Sequence, residues 1–435
     1  MRIGLINHYA VPPSAAGGTR HWDLANAWDA GGHTVRILAS SFNHFEQSTT
    51  SQMARRTEIG RRSVLLALDA RPYEGNGIGR AVGMLSFALR VLRSRRELGD
   101  VDVVVGSSPH PFSALSAAFV ARRRKVPFVY EIRDLWPQTL VDMGAMRRDS
   151  VAAKFLYAVE RWTVRAADGV VFLPPQADRY MAERGLSARR ALHAPNSAPP
   201  FEPPDGSPGQ RAGEVLEQVD AWRRDGRRVF CYAGTVGRAN GLRAVVDAFK
   251  KPEVSGSAAL VVCGDGPERE ALEALALPSE NIKFVGHVPK SDAFRIVDGV
   301  DVALFHLLDA PVFQYGLSPN KLVDYLNIGK PILYAGPAVP NPATGSNASF
   351  DALPGEATSI AAAVERFVAL GDDELAGMAS AARGHASRNF STKMVAETYV
   401  KFMESLVCDL KDQTVRGSRG TVAARATTTG EGVQK

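Results

Sequence analysis

The sequence predicts an α/β protein built from two doubly wound domains, and three observations carry that prediction. Short apolar runs alternate with segments of helical spacing, which is the pattern of parallel sheets covered by helices on both faces. The chain has 435 residues, whereas a single hydrophobic core seldom serves more than about 300. A segment with six prolines separates the alternation into two halves of similar size.

The N-terminal half begins with a strand–loop–helix–strand unit. Residues 2–7 form an apolar run and residues 19–30 have helical spacing. Gly31 and Gly32 end that helix, and residues 33–39 form the next strand. The same alternation then predicts strands at 101–106, 127–132 and 169–173, and helices at 80–98, 112–123, 150–167 and 176–184.

The proline-rich segment 195–208 is the predicted linker, and the alternation resumes beyond it. Strands are predicted at 229–232, 258–263, 282–285, 300–305 and 331–335, and helices at 241–249, 267–275, 291–297, 320–328, 359–370, 373–388 and 392–410. The predicted divisions are a first domain at 1–195, the linker at 196–210, a second domain at 211–390, a helix at 391–413 that crosses back to the first domain, and a disordered tail at 414–435.

Charge differs sharply between the two halves. The formal net charge is +6, but residues 1–200 hold 27 basic and 17 acidic residues, a net of +10. Residues 201–413 hold 21 and 28, a net of −7, and the last 22 residues add +3. We interpret this difference in net charge as a sign that the two domains bind different partners.

The chain carries no sign of export. Its three cysteines do not make a disulfide framework, its start lacks the pattern of a signal peptide, and no run of 18 apolar residues occurs. We therefore expect a cytoplasmic protein, with peripheral association at the inner face of the membrane as an additional expectation.

A loop-to-helix segment at 316–331 has the clearest functional signal. The predicted helix starts at Pro319 or Asn320, and a helix start offers unpaired amides and a positive dipole end to a phosphate. Lys321 lies in the first turn, where a cation is unfavourable unless an anion is near. Asp324 follows one turn later, where its carboxylate can accept hydrogen bonds from a ribose.

Two further loops follow strands of the second half. The segment 232–241 is glycine-rich and contains Arg238, which can clamp a diphosphate, although a solvated loop arginine is the plain alternative. Gly264 and Gly266 lie in a Gly-Asp-Gly-Pro turn at the end of another strand, where a nucleotide can approach.

In the first half, Gly17 and Gly18 form an anion-binding type of turn between the first strand and the first helix. A polar constellation follows two later strands, and we expect it to face the cleft between the domains as the catalytic group. The alternative to a catalytic role is a structural one, in which His110 only packs in the fold and Arg133 only pairs with Glu131 or Asp134. The candidates are His110, Glu131, Arg133 and Asp134.

A metal site has weak support. Asp100 and Asp102 form an Asp-Val-Asp sequence like the metal–nucleotide motif of some transferases, but aspartate is also common where a strand starts. No zinc spacing and no Walker A loop occur. We therefore expect no metal and no other cofactor.

The order of the motifs along residues 1–410 resembles that of the GT-B glycosyltransferases of family 4. The similarity extends to the branch that builds surface polysaccharides, such as fucosamine transferases. The motifs that carry it are Ala-Gly-Gly-Thr-Arg at 16–20, Gly-His-Thr-Val-Arg at 32–36, Glu-Ile-Arg-Asp-Leu-Trp-Pro at 131–137, Ala-Pro-Asn at 194–196, Gly-Asp-Gly-Pro at 264–267, Val-Gly-His-Val at 285–288 and Ser-Pro-Asn-Lys-Leu-Val-Asp at 318–324.

That resemblance implies metal-independent transfer of a sugar from a nucleotide sugar, with retention at the anomeric carbon. It implies that Gly18 gives an amide to the donor diphosphate, that Arg238 and Lys321 neutralise it, and that Asp324 holds the ribose. The backbone after Phe284 meets the base. Ser318 and Asn320 are further candidates for holding the sugar.

The chain also departs from the family pattern at three places. Gly316 stands where the first of two paired glutamates is expected, and Asn240 replaces a lysine near Arg238. The family's histidine before the cleft has no clear counterpart, since the segment 131–134 stands there. The donor site is therefore better supported than the catalytic group.

The sequence thus predicts a hexosyl- or aminosugar transferase that uses a nucleoside diphosphate sugar, UDP-linked, and a polysaccharide or lipid-linked acceptor. The alternatives are a sugar-nucleotide epimerase of the same fold and a non-catalytic nucleotide-sugar binding protein. We expect no nucleic-acid partner, because the basic stretches lack interleaved aromatic residues.

An anionic membrane surface is a further expected partner. The predicted helix 80–98 mixes arginines with apolar residues, and four basic residues follow at 122–125. A solvated helix face is the plain alternative.

Overall fold

Two parallel sheets form the protein, one in each half of the chain. The computed structural model describes residues 1–15, 17–43, 54–73 and 77–427, without the side chains of Ile78 and of residues 413–427. The first sheet has the order β3-β4-β2-β1-β5-β6-β7-β8, and its pairs are parallel except for β3 with β4. Its strands are β1 Arg2–Ile6, β2 Thr34–Ser40, β3 Arg56–Ile59, β4 Ser63–Leu68, β5 Val103–Ser107, β6 Phe128–Ile132, β7 Gly169–Phe172 and β8 Ala191–His193.

Helices cover both faces of the first sheet. One core lies between the sheet and α2, α3 and α5, and the other contains α1 and the last helix of the chain. The strands are therefore buried on both sides, which explains their continuous apolar runs. The helices are α1 Arg20–Ala30, α2 Ile78–Arg93, α3 Pro111–Arg124, α4 Gln138–Asp142, α5 Val151–Ala166 and α6 Ala177–Glu183, with a 3₁₀ turn at Arg95–Leu98.

The second sheet has the order β11-β10-β9-β12-β13-β14 and is parallel throughout the described pairs. Its strand order reverses beside β9 and β12, which is the switch point where α/β sheets bind ligands. Its strands are β9 Arg228–Ala233, β10 Ala258–Cys263, β11 Ile282–Gly286, β12 Val302–His306, β13 Ile332–Ala335 and β14 Ser349–Ala352.

Helices also lie on both faces of the second sheet, and each face has its own apolar core. The predicted architecture of two doubly wound parallel-sheet domains is therefore confirmed. The helices are α7 Gln210–Arg224, α8 Arg243–Phe249, α9 Pro252–Ser255, α10 Arg269–Ala276, α11 Lys290–Gly299, α12 Asn320–Ile328, α13 Ala357–Val368, α14 Asp372–Asn389 and α15 Thr392–Thr427, with 3₁₀ turns at Arg238–Asn240 and Pro311–Tyr315.

The chain crosses between the two sheets twice, and the two crossings touch. The linker residue Ala198 pairs with Ser391 in an isolated parallel bridge, and its N–H donates to the carbonyl of Phe390 at 3.0 Å. From there α15 packs onto the first sheet's domain. Its Tyr399 is buried edge-on against Trp28 of α1, whose indole N–H donates to the carbonyl of Ala396 at 2.9 Å.

Some elements differ from the predictions. Residues 210–224 have buried apolar side chains at helical spacing and form α7, which the sequence analysis leaves out. The edge strand β3 has exposed polar residues and the edge strand β8 has three residues, so neither has a strong pattern. The strands β4 and β14 are also absent from the predictions.

The tail also differs from its prediction. The backbone of α15 continues to Thr427, so the first part of the segment predicted to be disordered is helical. No proline interrupts it there. The rest of that segment, 428–435, lies outside the described residues. Within the described ranges, no helix is both long and apolar enough to cross a membrane.

Candidate functional site

A cavity of about 410 Å³ lies where the two domains and the linker meet. The first domain contributes the loop after β1 and the start of α1, and the second contributes the starts of α11 and α12. The lining residues are Pro13, Gly17, Gly18, Thr19, Arg20, Asp23, Ser197, Ala198, Pro199, Pro200, Phe201, Glu202, Pro204, Lys290, Ser291, Phe294, Asn320, Asp324 and Asn327. Such a volume suits a small-molecule ligand.

The glycine loop after β1 brings the two domains into contact. A Cβ atom on Gly18 would lie 2.9 Å from the amide nitrogen of Asn320 and 3.5 Å from a guanidinium nitrogen of Arg133. Gly17 has a φ of +134°, a conformation that side chains rarely adopt. Lys290 adds a second contact across the cleft, because its ammonium donates to the Thr19 hydroxyl at 3.2 Å. The loop thus needs both glycines to close on α12.

Helix α12 divides the predicted donor residues between two places. Asn320, Asp324 and Asn327 share the face that lines the cavity, whereas Lys321 does not line it. Burial raises the pKa of Asp324 to about 6, with Asp23 adding to the rise and Lys290 opposing it. Lys321 follows Asn320 by one residue, which turns its side chain by about 100° around the helix axis and away from the cavity.

Lys321 lies over the loop that follows β9. Its ammonium donates to the Tyr232 hydroxyl at 2.9 Å and sits 4.3 Å from the centre of that ring. A Cβ atom on Gly234 would come within 2.7 Å of the ammonium nitrogen, so glycine makes this approach possible. Burial lowers the pKa of Lys321 to about 8. Within the described part of the chain Lys321 has no carboxylate partner, so it is a largely buried cation suited to an anion.

Gly264 and Gly266 shape this loop by close packing. A Cβ on Gly264 would lie 1.9 Å from the carbonyl oxygen of Gly234, and one on Gly266 would lie 2.3 Å from that of Val236. Both glycines have positive φ values, 143° and 156°. The loops after β9 and β10 are therefore in backbone contact, and a side chain at either glycine would push them apart.

Arg238 is exposed at the start of the 3₁₀ turn after β9. The loop is held by His306 at the end of β12, a buried residue that the sequence analysis does not identify. The His306 Nδ1–H donates to the Asn240 carbonyl at 2.5 Å, and Nε2 accepts the Gly355 N–H at 3.0 Å. Burial lowers the pKa of His306. This imidazole is therefore neutral and positions the loop that carries Arg238.

Ser318 joins the second domain to the linker. Its hydroxyl accepts the backbone N–H of Asn196 at 3.1 Å, and its carbonyl accepts the Asn196 side-chain amide. Asn196 is 5% exposed and belongs to the Ala-Pro-Asn motif. The pair holds the start of α12 against the end of the first domain.

Gly316 has no room for a side chain. Its φ is +85°, and a Cβ would lie 2.5 Å from Cγ of Pro175 in the first domain and 3.0 Å from the carbonyl oxygen of Pro340. The preceding Val312 and Tyr315 belong to the core of the first domain. The position of the expected first glutamate is therefore a point of contact between the domains.

Glu131 is the centre of a buried polar cluster. Its carboxylate accepts two hydrogen bonds from Arg20 at 3.1 and 3.2 Å, one from His21 at 2.7 Å and one from Ser107 at 2.9 Å. Burial would raise its pKa, but Arg20 and His21 outweigh burial and hold the pKa well below its usual range. The side chain is inaccessible, which corrects the expectation that Glu131 faces the cleft.

His21 is neutral within this cluster. Burial lowers its pKa despite the neighbouring Glu131. The amide of Asn7 lies 2.7 Å from Nδ1, so this nitrogen accepts and the Nε2–H donates to Glu131. Neither Arg20 nor His21 was predicted to have this role, because no local sequence pattern reveals a partner 111 or 110 residues away.

His110 is also buried rather than directed at the cleft. It caps α3, accepting the Ser113 N–H on Nδ1 at 3.3 Å, so its Nε2–H donates to His8 at 3.0 Å. Burial, His8 and Arg80 hold the pKa of His110 well below its usual range. The expected cleft position is wrong because Pro111 starts the helix there and the imidazole serves as its cap.

Arg133 and Asp134 are less buried than Glu131 and His110. Asp134 is exposed, and Arg133 is partly exposed beside Gly18. Ser108 holds this segment, because its hydroxyl accepts the Arg133 N–H at 2.8 Å. Of the four predicted catalytic candidates, Arg133 therefore reaches the glycine loop at the cleft, Glu131 and His110 are buried, and a cleft position for Asp134 stays a prediction.

The two aspartates of the Asp-Val-Asp sequence lie at the opposite edge of the sheet. Asp102 pairs with Arg2 at 2.7 Å, and Asp100 lies 3.5 Å from the same guanidinium. They precede β5, so they are at its amino end and far from the cleft. The strand-start interpretation is therefore the better one.

The chain is similar in sequence to known glycosyltransferases. Residues 16–197 match the glycosyl transferase 4-like domain. A probable glycosyltransferase, WbjE of Pseudomonas aeruginosa, is 24% identical over 327 residues, which are 74% of this chain and 78% of that protein. Together these similarities support glycosyltransferase activity of the family 4-like type. The fucosamine-transferase branch stays a prediction.

Solved structures show the fold. Sucrose-phosphate synthase of Thermosynechococcus elongatus superimposes with a TM-score of 0.71 at 16% identity, covering 94% of this chain and 99% of that one. HepE of Anabaena in complex with UDP gives 0.63 at 14% identity, covering 93% and 100%. The chain has the GT-B fold.

The buried cluster makes a stability prediction. Replacing Glu131 with glutamine leaves Arg20 buried without its counter-charge, so we expect the free energy of unfolding to fall by about 3–5 kcal/mol at neutral pH. Because the folded pKa of Glu131 is depressed, this difference from the wild type is complete above the usual glutamate range and is lost as the pH falls through the folded pKa. Urea unfolding at several pH values measures it.

The control for this measurement is Glu58→Gln, which breaks an exposed pair with Arg56. It should change the free energy of unfolding by less than about 1 kcal/mol. A similar small change for Glu131→Gln at neutral pH would contradict the assigned cluster.

The domain contact at Gly316 makes a second prediction. We expect Gly316→Ala to lower the melting temperature more than Gly345→Ala does. Gly345 also has a positive φ, +73°, but a Cβ there would meet nothing within 4 Å. A side chain at a positive φ costs of the order of 1–3 kcal/mol at either position, and of the two only Gly316 adds close contacts, with Pro175 and the carbonyl of Pro340. Equal losses in calorimetry would refute that contact.

Proposed function

We propose that the protein transfers a hexose or aminosugar from a nucleoside diphosphate sugar, UDP-linked, to a polysaccharide or lipid-linked acceptor, with retention at the anomeric carbon. The observation that carries the proposal is Lys321, a largely buried cation without a carboxylate partner among the described residues, at the start of α12. The structure of HepE with UDP supports a nucleotide donor.

The diphosphate would lie between Lys321 and the glycine loop after β9. The amides at the start of α12 add a positive dipole end, and Arg238 is exposed at the same edge of the sheet. Departure of the nucleoside diphosphate builds negative charge on its phosphates. Fixed cations that face this charge stabilise the transition state more than the ground state.

The nucleoside would occupy the adjoining cavity. Asp324 and Asn327 line it from α12, and Phe294 lines it from α11. Carboxylate and amide groups at this place can hold ribose hydroxyls, while the aromatic ring offers an apolar surface to a base. Gly17 and Gly18 close the cavity from the first domain.

The acceptor would enter from the first domain, near Arg133 and Asp134. In this proposal Asp134 would accept a proton from the attacking hydroxyl, and Arg133, beside Gly18, would interact with the donor's phosphates. Glu131 and His110 act as positioning residues, because both are buried and fully engaged with protein partners. We infer that the reaction requires no metal ion.

The missing glutamate at Gly316 favours one alternative, a nucleotide-sugar binding protein without turnover. An epimerase is the other. Incubation of the purified chain with common UDP-sugars and a set of carbohydrate and lipid-linked acceptors separates the three. We expect a new glycoside whose anomeric configuration, read by NMR, matches that of the donor.

Other outcomes of that assay oppose the proposal. Release of an altered free sugar without any acceptor would identify an epimerase. Stabilisation by nucleotide sugars in a thermal-shift panel, with neither hydrolysis nor transfer, would identify a binding protein.

Lys321 gives a direct test of the donor site. We expect Lys321→Ala to weaken UDP binding at least about tenfold at neutral pH, since a charge-assisted hydrogen bond contributes about 1.5–3 kcal/mol. Because the pKa of Lys321 is about 8, wild-type affinity should fall as the pH rises above 8 and the ammonium loses its proton. Titration calorimetry across this range measures both effects.

The matched control is Lys283→Ala, which removes an exposed lysine from β11 in the same domain. It should leave both the affinity and its pH dependence unchanged. Wild-type affinity in Lys321→Ala would remove Lys321 from the donor site.

A further inference from the structure

Three helices lie side by side on one face of the first sheet. Helix α3 packs against α2 on one side and against α5 on the other. The inner residues of all three belong to the same apolar core, including Phe87 of α2, Ala117 of α3 and Val164 of α5. Their outer surfaces therefore face solvent on the same side of the molecule.

The outer surfaces of these helices expose unusually many large apolar side chains. Seven of the twelve large hydrophobic residues that are exposed in the described chain lie on α2, α3 and α5. On α2 they recur at helical spacing, and on α5 they also form one stripe. They are Val82, Leu85 and Leu89 of α2, Phe119 of α3, and Val151, Phe155 and Trp162 of α5. Such a concentration of large apolar side chains on one side of a domain indicates an interaction site.

The charges on the same surfaces have one sign. The exposed charged residues of the three helices are all basic, and α2 and α3 contain no acidic residue at all. Glu160 of α5 is 5% exposed and bonds to Tyr180 inside the domain. None of the exposed basic residues forms an ion pair among the described residues. They are Arg90, Arg93, Arg122, Arg123, Lys154, Arg161 and Arg165.

We propose that this basic-apolar face, formed by the outer residues of α2, α3 and α5, docks on an anionic lipid bilayer. Apolar side chains that alternate with basic ones match the boundary between acyl chains and anionic headgroups, and tryptophan favours that depth. Each well-placed basic residue adds about 1 kcal/mol of attraction to such a surface. A second copy of the same face is a poor partner, because seven basic residues would meet seven others.

The position of the face gives the docking a direction. Helices α2, α3 and α5 each follow the carboxyl side of the first sheet, so their first turns start at the cleft edge. Leu85 and Phe155 lie in the second turns of their helices. Docking through this face would therefore hold the cleft beside the membrane. The inference does not depend on the reaction proposed above.

Vesicle co-sedimentation of the full chain tests the proposal. With vesicles of phosphatidylcholine containing about one-third phosphatidylglycerol, we expect at least about tenfold stronger binding than with pure phosphatidylcholine, weakening as salt rises. Equal binding to both vesicle types would overturn the proposal, and so would the absence of binding to either.

Two double variants separate charge from apolar contact. Arg122→Glu with Arg123→Glu, and Phe155→Ser with Trp162→Ser, should each weaken binding to the anionic vesicles about tenfold or more. Their controls on the second domain are Arg211→Glu with Arg224→Glu on α7, and Leu277→Ser with Leu353→Ser, all exposed positions. These controls should bind as the wild type does.

Folding and self-association are measured on the same proteins. Unchanged circular dichroism and UDP affinity show that the variants are folded, so a failure of docking is distinct from a failure of the donor site. If the two face variants bind vesicles as the wild type does but change the mass measured by light scattering, the face is an interface between copies and the proposal is wrong.

Discussion

The buried pairing of Glu131 with Arg20 is the interaction on which the arrangement of the first domain depends. The carboxylate ends β6, the arginine begins α1, and Ser107 brings in the end of β5. The same guanidinium also donates to the carbonyls of Ala194 and Pro195, where the linker begins. Since a buried arginine without its carboxylate would be costly, one ion pair fixes the glycine loop, the sheet edge and the linker together.

The second domain contacts the first domain and the linker through the start of α12. Asn320 touches the glycine loop, Ser318 is tied to Asn196, and Gly316 contacts Pro175. Lys321, between these contacts, remains without a counter-charge in the described ranges. Protein contacts thus hold this cation in place without an acidic side chain beside it, in a half of the chain whose net charge is negative.

The sequence predicted those features whose cause is local. Helix α12 begins and ends where its spacing indicates, at Asn320–Ile328, and the first-turn lysine is the local feature on which the predicted anion site rests. The predictions were wrong where the position of a residue depends on a contact that is distant in the sequence. The burial of Glu131 depends on Arg20, and the exclusion of a side chain at Gly316 depends on Pro175. Sequence spacing carries no information on such contacts, whereas α7, although absent from the predictions, has apolar residues at helical spacing and is a local feature.

The bridge between Ala198 and Ser391 joins the two chain segments that cross between the domains. The two crossing segments lie side by side and together form a hinge between the domains. Rotation of one domain about the line through both crossings stretches neither chain segment. Sliding or twisting of one domain against the other would pull one crossing segment past the other. This arrangement favours rotation about the line through both crossings, which opens and closes the cleft, over the other relative motions of the two domains. The contacts of Lys290 with Thr19 and of Gly316 with Pro175 oppose that opening.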